Sequence, residues 1–140
     1  MLYQKVFLSL AGREDESHVI EEAMRIATAL QAALTVVHIN DPRAGMAHMM
    51  MDTLPKVTEE ILMDLFAKAG FSRQASEVTF KVISDESYAK AIAEATRQAD
   101  LLIMGHHAKN MLVAFLTDGT DERVADMMHC PVLLVPLQKR

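Results

Sequence analysis

Short apolar runs alternate with longer stretches of helical periodicity along this chain. Lys5-Val6-Phe7-Leu8-Ser9-Leu10 is β-rich and nearly continuous in apolar character, which predicts a strand covered on both faces. Ala11-Gly12 and the charged turn Arg13-Glu14-Asp15-Glu16 end it. Ser17 is placed to cap a helix in which Ile20, Ala23, Met24, Ala27 and Leu30 repeat on one face, with Glu21, Glu22 and Arg25 toward solvent. Leu34-Thr35-Val36-Val37-His38-Ile39 follows as a second strand, stopped by Asn40-Asp41-Pro42. Val57, Ile61, Leu62, Leu65, Phe66 and Ala69 mark a second helix, and Gly70 suits its C-terminal cap. Val78-Thr79-Phe80-Lys81-Val82-Ile83 alternates as an edge strand does. Tyr88, Ala89, Ile92 and Ala93 mark a third helix, and Leu101-Leu102-Ile103-Met104 forms a fourth strand closed by Gly105. A fourth helix over residues 121–128 and a fifth strand, Val132-Leu133-Leu134-Val135, complete the pattern, with Pro131 and Pro136 bracketing the last strand.

Five strands alternating with four helices predict an α/β fold, a doubly wound, Rossmann-like parallel sheet built with right-handed crossovers. No repeat, linker or low-complexity stretch divides residues 1–140, which are read as one domain. Ligands of such sheets bind beyond the carboxyl ends of the strands, where the winding direction switches. That geometry gathers Ala11-Gly12, Asn40-Asp41 and Gly105-His106-His107 around one crevice.

The segment after Gly105 decides what the crevice can hold. A strand, a polar connection and a helix start present free N–H groups and a positive helix dipole to an anion. Lys109 adds a charge that suits phosphate, whereas Ala108 stands where a second glycine would admit the backbone, and Asp118, Asp121 and Glu122 bring negative charge to the helix start. Residual adenine-nucleotide binding and a plain structural turn both remain as readings, and the carboxylates favour the turn. Thr117 and Thr120 carry hydroxyls suited to phosphorylation or, for Thr120, to capping the helix.

Composition narrows the function further. At 140 residues with 51% apolar content, the chain can bury a core without disulfides or metals. A formal charge of −5 argues against nonspecific nucleic-acid binding. Cys130 is the single cysteine, and its place before the last strand predicts a buried thiol in a reducing, cytoplasmic setting. Neither a secretory leader nor an apolar stretch of roughly eighteen residues is present, so no membrane association is expected.

Other candidate chemistry is sparse. His106 and His107 have the type for acid–base work or metal ligation, but no nucleophile–base pairing accompanies them and loop hydrogen bonding is the simpler role. His38, within a strand, is expected to be buried and hydrogen-bonded. The run Met46, His48, Met49, Met50 and Met51 is soft enough for Cu(I), yet methionine serves equally as core filler or contact surface, and no metal is assigned.

The opening strand with Gly12, the Thr35-Val36-Val37-His38-Ile39 strand, the segment Ala99-Asp100-Leu101-Leu102-Ile103-Met104-Gly105-His106-His107 and the closing Cys130-Pro131-Val132-Leu133-Leu134-Val135-Pro136 together resemble the universal stress protein family over essentially the whole length. The resemblance implies a sheet of order 3-2-1-4-5, homodimers paired along the fifth strands (Val132, Leu133, Leu134, Val135) and a role in stress adaptation. Nucleotide-binding members carry G-x2-G-x9-G-[ST] and an aspartate after the first strand. Here Gly105 is followed by Ala108 and Asp118-Gly119, and the aspartate position is Ala11; a one-residue insertion would restore Gly119-Thr120 alone. The Gly-His-His start is more similar to the universal stress protein A branch, which implies a protein without an ATP cofactor or catalytic residues, acting through an unidentified protein partner. The alternative is an ATP- or AMP-binding regulator, with Gly105, His106, Lys109, Gly119 and Thr120 around the phosphates and Gly12, Asn40 and Asp41 near the nucleoside.

Overall fold

The central strand of the sheet, β1 (Lys5–Ser9), is hydrogen-bonded on both edges, to β2 (Ala33–Asn40) and to β4 (Leu101–His106). Two outer strands, β3 (Thr79–Ser84) beside β2 and β5 (Val132–Pro136) beside β4, complete a fully parallel sheet of order β3-β2-β1-β4-β5. The crossovers are α1 (Ser17–Leu30), α2 (Glu59–Lys68), α3 (Tyr88–Ala95) and α4 (Thr120–Met127). The structure, a computed structural model, describes residues 3–45, 56–106 and 120–137, with side chains left aside at 120–122.

The strands at the centre read as unbroken apolar runs because each side of the sheet carries its own core. On one side Val6, Leu8, Leu10, Leu34, Val36 and Ile103 pack with Val19, Ile20 and Ala23 of α1 and Leu62, Leu65 and Phe66 of α2. On the other, Phe7, Val37, Ile39, Leu102 and Met104 pack with Ala89 and Ile92 of α3 and Val124 of α4. The Phe66 ring meets Phe80 edge-on, with centroids 5.3 Å apart, and fastens α2 to the edge strand β3.

Element ends depart from the periodicity by a residue or two. Ser17 is the first residue of α1 and not its cap; a one-turn 3-10 stretch, Glu14–Glu16, precedes it and Glu16 takes the capping position. Thr58 caps α2 through its hydroxyl on the Ile61 N–H, and Gly70 follows the helix with φ of +99°, as a C-terminal glycine should. Gly105 does not close its strand. The ladder with β5 runs on, pairing Gly105 with Val135 and His106 with Pro136.

At the opposite end, the Asp100 carboxylate accepts the Gln4 and Lys5 N–H groups at 2.8 Å each and ties the start of β1 to that of β4. Cys130, expected to be buried, is half-buried at the entry to β5. Burial and the nearby Asp100 carboxylate push its thiol above the usual range, which lowers its reactivity. No helix among the described residues is long and apolar enough to cross a membrane.

Candidate functional site

Three strand ends border the crevice in the order β2, β1, β4, aligned by the pairings of Ser9 with Val37 and with Met104. The turn after β1 holds its own anion. Glu16, with no solvent exposure, turns its carboxylate back to accept the N–H groups of Ala11, Gly12 and Arg13, each at 2.9 Å. These are the backbone donors that a strand-to-helix turn would otherwise offer a ligand. Burial pushes the Glu16 carboxyl above its ordinary range, and neighbouring Asp15 adds to this, against the downward pull of the three N–H bonds. Arg13 itself grips Asp15, with Nε 3.1 Å from Oδ1 and a terminal nitrogen 2.8 Å from Oδ2.

The end of β2 is equally committed. Asn40 is buried, and its amide pairs with both backbone groups of Val57: Oδ1 accepts the Val57 N–H at 3.1 Å and Nδ2 donates to the Val57 carbonyl at 2.8 Å. This pins the chain entering α2 across the crevice. Val57 then lies over Gly12, whose φ is +84° and whose missing Cβ would meet Val57 Cγ2 at 2.5 Å. Glycine is required there twice over, for the left-handed backbone and for the contact. His38, as expected, is buried and bonded: Nδ1 stands 2.7 Å from the Leu10 carbonyl and Nε2 3.0 Å from Asn40 Oδ1. Burial holds its pKa below the usual histidine value, against those two contacts. Asp41 turns onto Arg43, accepting its backbone N–H at 2.8 Å and its guanidinium at 3.1 Å, which keeps the carboxyl below the usual range.

At the third strand end Gly105 is buried in the β4–β5 ladder and His106 is exposed. Beneath the crevice on the α3 side, the buried Ser9 hydroxyl is hydrogen-bonded to the Tyr88 hydroxyl at the first residue of α3. Thr120 opens α4. His107, Ala108, Lys109, Thr117, Asp118 and Gly119 lie outside the described residues, as does the run from Met46 to Met51. Among the described residues no three His, Cys, Asp or Glu side chains converge on a point that suits a metal ion.

Of the residues singled out from the sequence, Gly12, Asn40, Asp41, Gly105 and His106 thus border one end of the sheet, and the first three are engaged by the chain itself. The residues that engage them, Glu16 and Val57 at Gly12, Val57 at Asn40 and Arg43 at Asp41, carry no functional signal in the sequence pattern. A hint for Glu16 exists in its position three residues after Arg13, the spacing by which a glutamate reaches back to a cap N–H.

Comparison with known proteins is consistent with this architecture. The family model described as the universal stress protein family matches residues 2–136. A universal stress protein of Methanocaldococcus jannaschii is 25% identical, with 99% of this chain and 85% of that protein covered. Among solved structures, a universal stress protein crystallised in complex with cAMP aligns over 99% of this chain and 100% of its own, at 19% identity and a TM-score of 0.64. One from Burkholderia pseudomallei aligns over 96% of each chain at 25% identity and a TM-score of 0.59. With its family model spanning nearly the whole sequence and the sheet order in place, the chain belongs to the universal stress protein family.

Proposed function

We propose that this member of the family works in stress adaptation through protein contacts, as a cytoplasmic homodimer, without an ATP cofactor and without catalysis. The observation that carries the reading is the Glu16 carboxylate on the three N–H groups after β1. A nucleotide seated in the crevice meets, at the turn after β1, a buried acidic group in place of free backbone donors. Ala11, where nucleotide-binding relatives carry aspartate, points the same way.

The dimer reading is supported by the edge strand β5. Leu133 and Leu134 are 39% and 41% exposed, an apolar strand edge of the kind that proteins cover by pairing. The partner beyond that dimer is a protein contacting the surface loops.

A second reading, an adenine-nucleotide-binding regulator, draws support from the cAMP complex of the structurally similar protein. It would place phosphates near Gly105, Lys109, Gly119 and Thr120 and the nucleoside by Asn40 and Asp41. Equilibrium titration of nucleotide-free protein with ATP and with AMP, magnesium present, separates the two. Absence of binding up to millimolar nucleotide supports the first reading, and micromolar binding overturns it in favour of the second.

A further inference from the structure

The polar contacts around His38 contain a conflict that a proton resolves. Asn40 has its amide orientation fixed by Val57, since the backbone N–H must meet Oδ1 and the carbonyl must meet Nδ2. The atom left facing His38 Nε2 is therefore an acceptor, Oδ1, at 3.0 Å. On the other side of the ring Nδ1 faces a second acceptor, the Leu10 carbonyl, at 2.7 Å. A neutral imidazole has one N–H and satisfies one of these; its other nitrogen then points a lone pair at an oxygen. Only the imidazolium donates to both. A neutral ring is satisfied in a different arrangement, with the Asn40 amide turned so that Nδ2 donates to Nε2, and that turn breaks both bonds to Val57.

We propose that His38 and Asn40 form a proton-operated latch on Val57: with both ring nitrogens protonated, Asn40 holds Val57 down on Gly12, and loss of a proton lets the Asn40 amide turn to His38 and release Val57 from the crevice.

The latch acts within the folded protein. His38 stays on β2 in both arrangements, and the direction of the Asn40 amide is what distinguishes them. Titratable side chains on the segments around β2 are Lys5 on β1, Arg13, Glu14, Asp15 and Glu16 on the turn after it, His18, Glu21, Glu22 and Arg25 on α1, Lys81 on β3, Asp85 and Glu86 after it, Tyr88, Lys90 and Glu94 on α3, Lys56, Glu59 and Glu60 entering α2, and the mutually paired Asp41 and Arg43. Burial, the Leu10 carbonyl and the Asn40 side chain are what act on His38. The consequence is a crevice whose cover responds to acidification. Val57 also stands beside Lys56, whose Cβ lies 3.3 Å from the position of a Cβ on Gly45.

Amide hydrogen exchange of the intact chain, read by NMR between about pH 7.5 and 4.5, tests the latch. Protection of the Val57 amide is corrected for intrinsic exchange and divided by that of Val36 in the core of β2, which cancels global destabilisation. The expected ratio rises as pH falls, approaching tenfold per pH unit where His38 titrates. The nitrogen-15 shifts of both His38 ring atoms should move to protonated values over the same interval, and His38→Gln should make the ratio flat. Should that variant fail to fold, coincidence of the ring and Val57 midpoints in the unaltered protein carries the test. A Val57 ratio that stays flat or falls on acidification overturns the proposal, as does a His38 ring that keeps a single proton throughout.

Discussion

Val57 Cγ2 lies 2.5 Å from the point that a Cβ on Gly12 would occupy, so any side chain at position 12 requires Val57 to shift. Gly12→Ala is expected to destabilise the protein through two additive causes. The left-handed backbone at φ +84° costs a residue with a Cβ about 1–2 kcal/mol. Displacing Val57 adds an overpacking cost of about 1–3 kcal/mol. Urea unfolding of the two proteins measures the sum. A loss below about 0.5 kcal/mol, the range of surface substitutions, would mean that Val57 yields freely and that the crevice is open.

Glu16→Gln tests the internal anion. The amide keeps one acceptor oxygen for three N–H groups and turns its own N–H donors toward the rest, which costs about 1–3 kcal/mol for a buried donor left unpaired. The pH dependence has a definite sign. Burial raises the folded-state pKa of Glu16 above its ordinary 4.5, so the associated stability is present below that value and is lost as pH rises through the folded pKa. The stability gap between the parent and the Gln variant should therefore narrow from about pH 4 toward neutrality. A gap that widens with pH would show that the three N–H bonds outweigh burial.

His38 works in the opposite sense. Its folded-state pKa lies below the ordinary 6.5, so its contribution to global stability is present above pH 6.5 and is lost as pH falls through the folded value. In denaturant titrations at a series of pH values, the advantage of the parent over His38→Gln is expected to shrink on acidification. This concerns unfolding, in which His38 gains full hydration; it is separate from the placement of Val57 within the folded state. Growth of the advantage toward acid would mean that the imidazolium is favoured by the fold as a whole.

The fold was far more legible than the site, for a physical reason. Strands such as β1 and β4 bury both faces and leave continuous apolar runs, and α1 leaves a regular apolar stripe, so local pattern reports them directly. Strand order was available only through family resemblance, because parallel pairing joins residues far apart in the chain. Glycine commonly ends a strand, as the pattern around Gly105 predicts, whereas here the register with Val135 carries the ladder past it. Asn40 has the character of a ligand group, yet its side chain pairs with Val57, seventeen positions away, and no periodicity announces a side-chain amide pairing with one distant backbone unit. Glu16 stands in a charged turn, and only the closed geometry of residues 11–13 reveals it as buried.

The edge of β5 offers the most direct test of assembly. Val135 faces the core, while Leu133 and Leu134 remain exposed on an outer strand whose far edge has no neighbouring strand among the described residues. Pairing two copies along this edge would satisfy the outward backbone groups and cover both leucines in one step. Leu134→Lys places a charge in that seam at a position where the side chain already meets solvent in the single chain, so the fold itself should tolerate it. Sedimentation velocity at micromolar concentration is expected to give a dimer for the parent and a monomer for the variant, with nearly unchanged circular dichroism. A monomeric parent would remove the dimer from the proposed function. A variant that stays dimeric would move the interface to another face, with the exposed Ile61 and Met63 of α2 as the next surface to alter.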